Sequence, residues 1–153
     1  MNIIDNLIDD HQKIRSQLNT ILDNLQNSSI QSVEQSLIEL DHLLNGIHEP
    51  KEEELFLAII SHSNIADTDK LLDGLISEHQ GLRDRLKALV NSDIPPLSDS
   101  TTVDSLNSLI EAITLHMDYE EKELYPLALR HLSPSLSDSL LAKYQTISNI
   151  PSV

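Results

Sequence analysis

Cysteine is absent from this chain, and disulfides, thiolate zinc sites and cysteine nucleophiles are absent with it. Any metal must therefore be held by nitrogen and oxygen. Glycine occurs only three times in 153 residues, which leaves little material for tight sheet turns and favours an all-helical chain. Aromatic residues make up 3% against 39% hydrophobic, so a core has to be built mainly from Leu and Ile. Basic residues are few: 10 Lys and Arg against 25 Asp and Glu give a net charge of −15. Such a field repels phosphate backbones and anionic membranes, which argues against nucleic acid and membrane as partners. No apolar run approaches the roughly 18 to 20 residues that cross a bilayer, and the start, Met1-Asn2-Ile3-Ile4-Asp5, lacks a basic n-region. These features predict a soluble, unexported, cytoplasmic protein whose length suits one domain over residues 1–153.

Four long segments repeat apolar residues at the three-and-four spacing of an amphipathic helix. The first stripe reads Leu7, His11, Ile14, Leu18, Ile21, Leu25, and the second Val33, Leu37, Leu40, Leu44, His48, Glu52, Leu55, Ile59. The third follows an Asp67-Thr68-Asp69 cap signal with Leu75, His79, Leu82, Leu86, Leu89. The fourth follows a Pro95-Pro96 loop with Leu106, Leu109, Ile113, His116, Glu120, Leu124, Leu127. The spacing predicts helices over about 2–26, 31–62, 68–91 and 102–131, and a short fifth over about 134–147, with Ser133 as cap and Pro134 in the first helical position. Short connections favour antiparallel neighbours, hence an all-α, up-down-up-down four-helix bundle with a short C-terminal helix and a frayed tail, 149–153. Pro50 falls inside the second pattern, four residues after Gly46. A kink beside His48 is expected there instead of a break, because the stripe keeps its phase from Leu44 through Leu55.

Each stripe is interrupted by histidine, and two of them by glutamate as well. Buried imidazole or carboxylate loses several kcal/mol of hydration unless hydrogen bonds or a cation replace it. No Lys or Arg lies on these stripes, so ion pairing offers no obvious neutralisation of Glu52 and Glu120. His48 with Glu52, and His116 with Glu120, are each four residues apart, about one helical turn, so each pair offers a nitrogen and an oxygen to one point. Counting from the loops at about 1.5 Å per residue puts His11 level with His48, Glu52 level with His79, and His79 near the height of His116. Six ligand-type side chains then share one layer. Imidazole and carboxylate without thiolate suit iron, manganese or zinc, and His and Glu from several helices of one bundle is how di-iron and di-manganese centres are assembled. Six ligands are too many for one tetrahedral zinc and suit two ions with a carboxylate bridge and an oxo or hydroxo group. His42, His62 and His131 lie off the stripes or at helix ends, where surface or helix C-terminal roles are expected.

The helix 4 segment His116-Met-Asp-Tyr-Glu120-Glu-Lys-Glu-Leu-Tyr125-Pro126 resembles the His-x-x-x-Glu-Glu-x-x-Leu-Phe-Pro signature of hemerythrin-like proteins with the HHE cation-binding domain. His48-Glu49-Pro50-Lys51-Glu52-Glu53 is similar to a His-His-Pro-Lys-Glu-Asp variant among bacterial members, and Asp9-Asp10-His11 and Ser77-Glu78-His79 resemble the ligand segments of helices 1 and 3. The resemblance spans nearly the whole chain. It implies a di-iron centre in which Glu52 and Glu120 bridge and the four histidines are terminal. Oxygen-carrying members have a second histidine on helix 3, whereas Leu75 and Arg83 flank His79 at that spacing here. Glu49, at the position of the second histidine of the variant motif, is either a substitute ligand or the solvated neighbour of a proline. The lost imidazole argues against reversible oxygen carriage.

The resemblance implies a metal-binding protein whose two iron ions react with or sense dioxygen, peroxide or nitric oxide, or handle iron. Enzymatic peroxide or nitric-oxide chemistry is left open by the residues. The alternative is a zinc- or manganese-stabilised helical binding module without redox activity, whose protein partner is unknown. Glu53-Glu54 and Glu121-Glu123 form its candidate acidic surface, with solvated charge as the default. Tyr119 and Tyr125 adjoin the helix 4 ligands and either support them, as hydrogen-bond partners or a redox relay, or are core and rim residues. The latter is favoured, because a neighbour in sequence faces elsewhere on a helix.

Overall fold

A computed structural model describes residues 2–27, 30–62, 68–91 and 99–148, and among them the chain is helical with no strand. The expected Asp67 cap, the Pro95-Pro96 loop and the 149–153 tail lie outside the described residues. Helix α1 spans Ile3–Gln26. The second rod consists of α2 (Ile30–Asp41), a π-helical stretch over His42–His48, and α3 (Glu49–His62). Helix α4 spans Thr68–Val90. The fourth rod is α5 (Ser100–Tyr119), a second π-helical stretch over Glu120–Leu124, and α6 (Tyr125–Leu129). Helix α7 runs Pro134–Ser148. No helix among the described residues is long and apolar enough to cross a membrane.

Side-chain caps set several of these starts. Asn2 accepts the Asp5 N–H at 2.8 Å while the Asp5 carboxylate takes the Asn2 N–H at 3.3 Å, so two orphan donors of the first turn are satisfied reciprocally. Asp99 accepts the Thr101 N–H at 2.9 Å at the start of α5. Ser133 accepts the Leu136 N–H at 3.1 Å, with Pro134 in the first position of α7.

The two π-helical stretches replace the expected kink. Pro50 has no N–H to give, and its ring would press on the carbonyl four residues earlier. The Glu49 N–H bonds the Leu44 carbonyl, five residues back, so the turn before the proline is widened and the rod continues unbroken. The same device, not anticipated from the sequence, precedes Pro126: the Tyr125 N–H bonds the Glu120 carbonyl. Each stretch ends two residues before its proline, and each carries a residue of the polar layer.

Where neighbouring rods meet, rising residue numbers face falling ones. Gln17 bonds the Ser36 carbonyl and Asn24 the Ser32 carbonyl; Lys87 pairs with Asp41 and Arg83 with Glu49; Arg15 pairs with Asp118. The apolar core is in two parts. One contains Ile14, Leu18, Leu37, Leu44, Leu86 and Ile113, and the other contains Leu7, Leu55, Leu75, Leu124 and, from α7, Leu140 and Tyr144. His11, His48, Glu52, His79 and Glu120 each fall between a residue of one part and a residue of the other along the chain, so a polar slab separates two hydrophobic clusters. Leu86 is fully buried in the first cluster, whereas Leu115 is 60% exposed. Replacing Leu86 by Ala should cost about 2–5 kcal/mol in urea unfolding, while Leu115→Ala should stay within about 0.5 kcal/mol; equal effects would contradict this partition of the core.

Candidate metal centre

Six side chains of the polar slab converge in two groups that share both glutamates. His11, His48, Glu52 and Glu120 form one group; His79, His116, Glu52 and Glu120 form the other. Within each, one donor atom per residue lies within 4.8 Å of all the others. His11 comes from α1, His48 from the end of the first π stretch, Glu52 from α3, His79 from α4, His116 from α5 and Glu120 from the start of the second π stretch. All six are buried. The i, i+4 spacing does what was expected of it: His48 Nε2 is 3.2 Å from Glu52 Oε1, and His116 Nε2 is 3.3 Å from Glu120 Oε2. Glu120 also presents Oε1 to His11 Nε2 at 3.2 Å, so its two oxygens face different groups.

The imidazoles are oriented by a cycle of carboxylates on the outer side. Their Nδ1 atoms face Glu121 (3.2 Å from His11), Asp10 (3.1 Å from His48), Glu53 (3.3 Å from His79) and Glu78 (2.8 Å from His116). Each acid is the sequence neighbour of a centre residue: Asp10 of His11, Glu53 of Glu52, Glu78 of His79 and Glu121 of Glu120. Each serves a different helix from its own. At His11, His48 and His79 the carboxylate on Nδ1 is hydrogen-bonded, keeps the proton there and turns Nε2 inward, which is the arrangement that metal-binding histidines use. At His116 the Glu78 contact is an ion pair without hydrogen-bond geometry. Glu53 and Glu121 were expected to be solvated charge; both instead have an imidazole partner, their side chains being 26% and 24% exposed. The signal, an acid beside each inward residue except His116, was read only as part of the motifs.

Cations do act here, one step out from the centre. Lys51, 2% exposed, donates to Asn6 and Asp10 at 3.0 Å each, and Asp10 in turn holds His48. Burial alone would raise the Asp10 carboxyl, but the His48 hydrogen bond and charge, with Lys51, keep it below the ordinary range. Arg15 pairs with Glu121 and Asp118. Among the described residues the ion-pair partners of Glu52 and Glu120 are imidazoles, with no Lys or Arg.

At the centre itself Glu52 Oε1, Glu120 Oε2, His79 Nε2 and His116 Nε2 are buried without a hydrogen-bond partner. Atoms of this kind, crowded at 3.2 to 3.7 Å, are costly unless a proton or a cation lies between them. The donor set therefore fits metal ions. Nitrogen and oxygen donors, with two carboxylates common to both groups, accommodate a pair of ions.

Glu49 falls in neither group. It is not solvated: it is fully buried, with Oε2 3.2 Å from Arg83 and Oε1 unpartnered. Burial pushes its carboxyl up to about 7, against the pull of His79 and Arg83. Arg83, at the spacing of the histidine missing from helix 3, is thus its ion-pair partner. His42 and His131 are half-buried and outside both groups, and the His62 side chain lies outside the described residues. Tyr119 is 47% exposed, as a rim residue should be. Tyr125 is buried inside the first group, contrary to the expectation that it faces elsewhere; its hydroxyl donates to Glu52 Oε2 at 2.8 Å.

A helical bundle with buried, paired clusters of His and Glu defines a cation-binding class of protein. Residues 2–128 match the family model of the hemerythrin HHE cation binding domain, and the chain belongs to that family. No curated protein and no solved structure matches it.

Without a cation, protons hold the centre together. Burial works against charge on the rings, but the fields and contacts of the carboxylates prevail: Glu52 and Asp10 bring His48 to about 10, Glu120 with Glu52 and Glu53 brings His79 to about 12, and Glu120 with Glu52 brings His116 to about 9. The unfolded value is 6.5, so the metal-free native chain binds more protons than the unfolded one at and above neutrality. That stabilisation is complete below about pH 6.5 and is lost as pH rises through about 9 and 10. Chelator-treated protein should therefore melt at a lower temperature at pH 10 than at pH 7; an equal or higher value at pH 10 would count against it.

Proposed function

We propose that this chain is a non-haem di-iron protein holding two iron ions, with an oxo or hydroxo bridge, on His11, His48, Glu52, His79, His116 and Glu120. The observation that carries the reading is the pair of four-residue groups sharing Glu52 and Glu120, with four buried donor atoms that have no other partner. Six donors for two ions leave coordination positions open, and nitrogen and oxygen ligands without thiolate suit iron. We assign Glu49 to the centre's charge balance through Arg83, with its unpartnered Oε1 as a reserve carboxylate oxygen. The opposed residue numbering of neighbouring rods supports an up-down-up-down antiparallel bundle, which we take as a single domain spanning the chain, with α7 as its short fifth helix.

When bound, the iron supplies a site that takes up a small oxidant or diatomic ligand, namely dioxygen, peroxide or nitric oxide. The chain's own part is physical. Leucines and isoleucines above and below the polar slab exclude water, and the outer carboxylates fix each imidazole plane. A cleft of about 180 Å³ lined by Asn6, Asp10 and Lys51 opens beside the residues that hold His48. The acidic charge of −15 fits a protein that works in solution and away from nucleic acid, and we place it in the cytoplasm.

Protein purified without oxygen and then exposed to air should contain two irons per chain and gain visible absorption. A single colourless zinc, or no metal, would overturn the reading in favour of a metal-stabilised binding module or none. His116→Ala should lower iron occupancy together with the melting temperature of the loaded protein; undiminished occupancy would remove His116 from the ligand set. Glu78→Gln, which weakens only the outer support of His116, should reduce iron affinity by roughly 10- to 100-fold, read by competition with a chelator.

A further inference from the structure

Tyr125 sits where a hydrogen bond alone does not account for its surroundings. Its hydroxyl oxygen is 2.8 Å from Glu52 Oε2, 3.1 Å from His11 Nε2 and 3.4 Å from His48 Nε2. A phenol has one hydrogen, donated here to Glu52, and both ring nitrogens close on the same phenol oxygen. The Nδ1 atoms of both rings are already engaged by Glu121 and Asp10, which leaves the two Nε2 atoms directed at the phenol oxygen. First-row metal ions bind such donors at roughly 2.0–2.2 Å, and adjacent ligands at right angles are then roughly 3.0 Å apart. The distances from the Tyr125 oxygen to its three neighbours cluster around that value. So do those from His11 to Glu120 and from His48 to Glu52, both 3.2 Å.

The backbone explains how a tyrosine five residues after Glu120 reaches the same centre. On a regular α-helix it would lie about 140° further round the axis. The π-helical stretch over Glu120–Leu124 bonds Tyr125 N–H to the Glu120 carbonyl and stacks the two residues on one side. The ring is 1% exposed and stacks on His11 at 5.4 Å between centroids, with an interplanar angle of 22°, so the oxygen is held in place by packing. Tyr144, also buried, is different: its hydroxyl donates to the Lys51 carbonyl.

We propose that Tyr125 is a metal ligand in its own right, its phenolate oxygen joining His11, His48, Glu52 and Glu120 on one of the two ions and making the two halves of the centre chemically unequal. The proposal rests on the iron reading above. On binding, the phenol proton is released to the buffer and the oxygen contributes a negative charge to a buried, cation-rich site.

Ferric phenolate coordination produces a visible charge-transfer band, and resonance Raman excitation within it enhances phenolate ring modes. Iron-loaded wild-type protein should show both. Tyr125→Phe should lose both while retaining iron by direct metal analysis, and Tyr119→Phe should keep both. Iron bound in the wild type without enhanced phenolate modes, or modes that survive in Tyr125→Phe, would overturn the phenolate ligand and leave the iron reading standing. Failure of the wild type to bind iron would overturn both. The wild-type Raman spectrum decides the question even if the variant does not fold.

Discussion

The structure depends on neutralising a slab of imidazole and carboxylate that lies between two hydrocarbon clusters. Hydrophobic burial above and below favours the bundle, and the same burial removes the water that would otherwise solvate Glu52 and Glu120. Either protons or cations must replace that water. With protons, His48, His79 and His116 carry positive charge toward the carboxylates; with metal ions the same atoms become ligands. The centre is therefore a place of exchange between two kinds of positive charge, and the surrounding fold is compatible with both.

Around the slab, charge is graded outward. Among the described residues the inner carboxylates face imidazoles, one another and Tyr125, while Lys51, Arg15 and Arg83 pair with Asp10, Glu121 and Glu49 one step further out. A basic side chain placed directly on Glu52 or Glu120 would compete with a metal ion for the same oxygens. Keeping the lysine and arginines on the outer acids stabilises those acids as anions without occupying the centre. Lys51 also ties in α7, since its ammonium lies 5.6 Å from the centre of the Tyr144 ring and its carbonyl accepts the Tyr144 hydroxyl. The short C-terminal helix thus packs against the residue that steadies Asp10 and, through it, His48.

Much of this was legible in the sequence. Periodicity placed His11, His48, Glu52, His79, His116 and Glu120 on inward faces, and counting residues from the loops put them at one height, because both inferences need only the regular rise and twist of an α-helix. What escaped was everything that departs from that regularity or crosses between helices. The π-helical stretches change the twist locally, so Tyr125 lies over Glu120 where an α-helix would have carried it away. Only the proline beside each stretch hinted at them, and a proline reads equally as kink, break or widened turn. The outer acids could be seen as neighbours of ligands, but which imidazole each would meet is a property of the packed bundle. The solvated alternative for Glu49 failed because its partner, Arg83, is 34 positions away.

The cycle of outer acids has a consequence for how the centre comes into being. Asp10 on the first rod steadies the histidine of the second, Glu53 on the second that of the third, Glu78 on the third that of the fourth, and Glu121 on the fourth that of the first. No helix aims its own imidazole. A rod that has folded but not yet docked lacks the acid that holds its imidazole from outside, so the four rings take their set only when the last rod closes the circle.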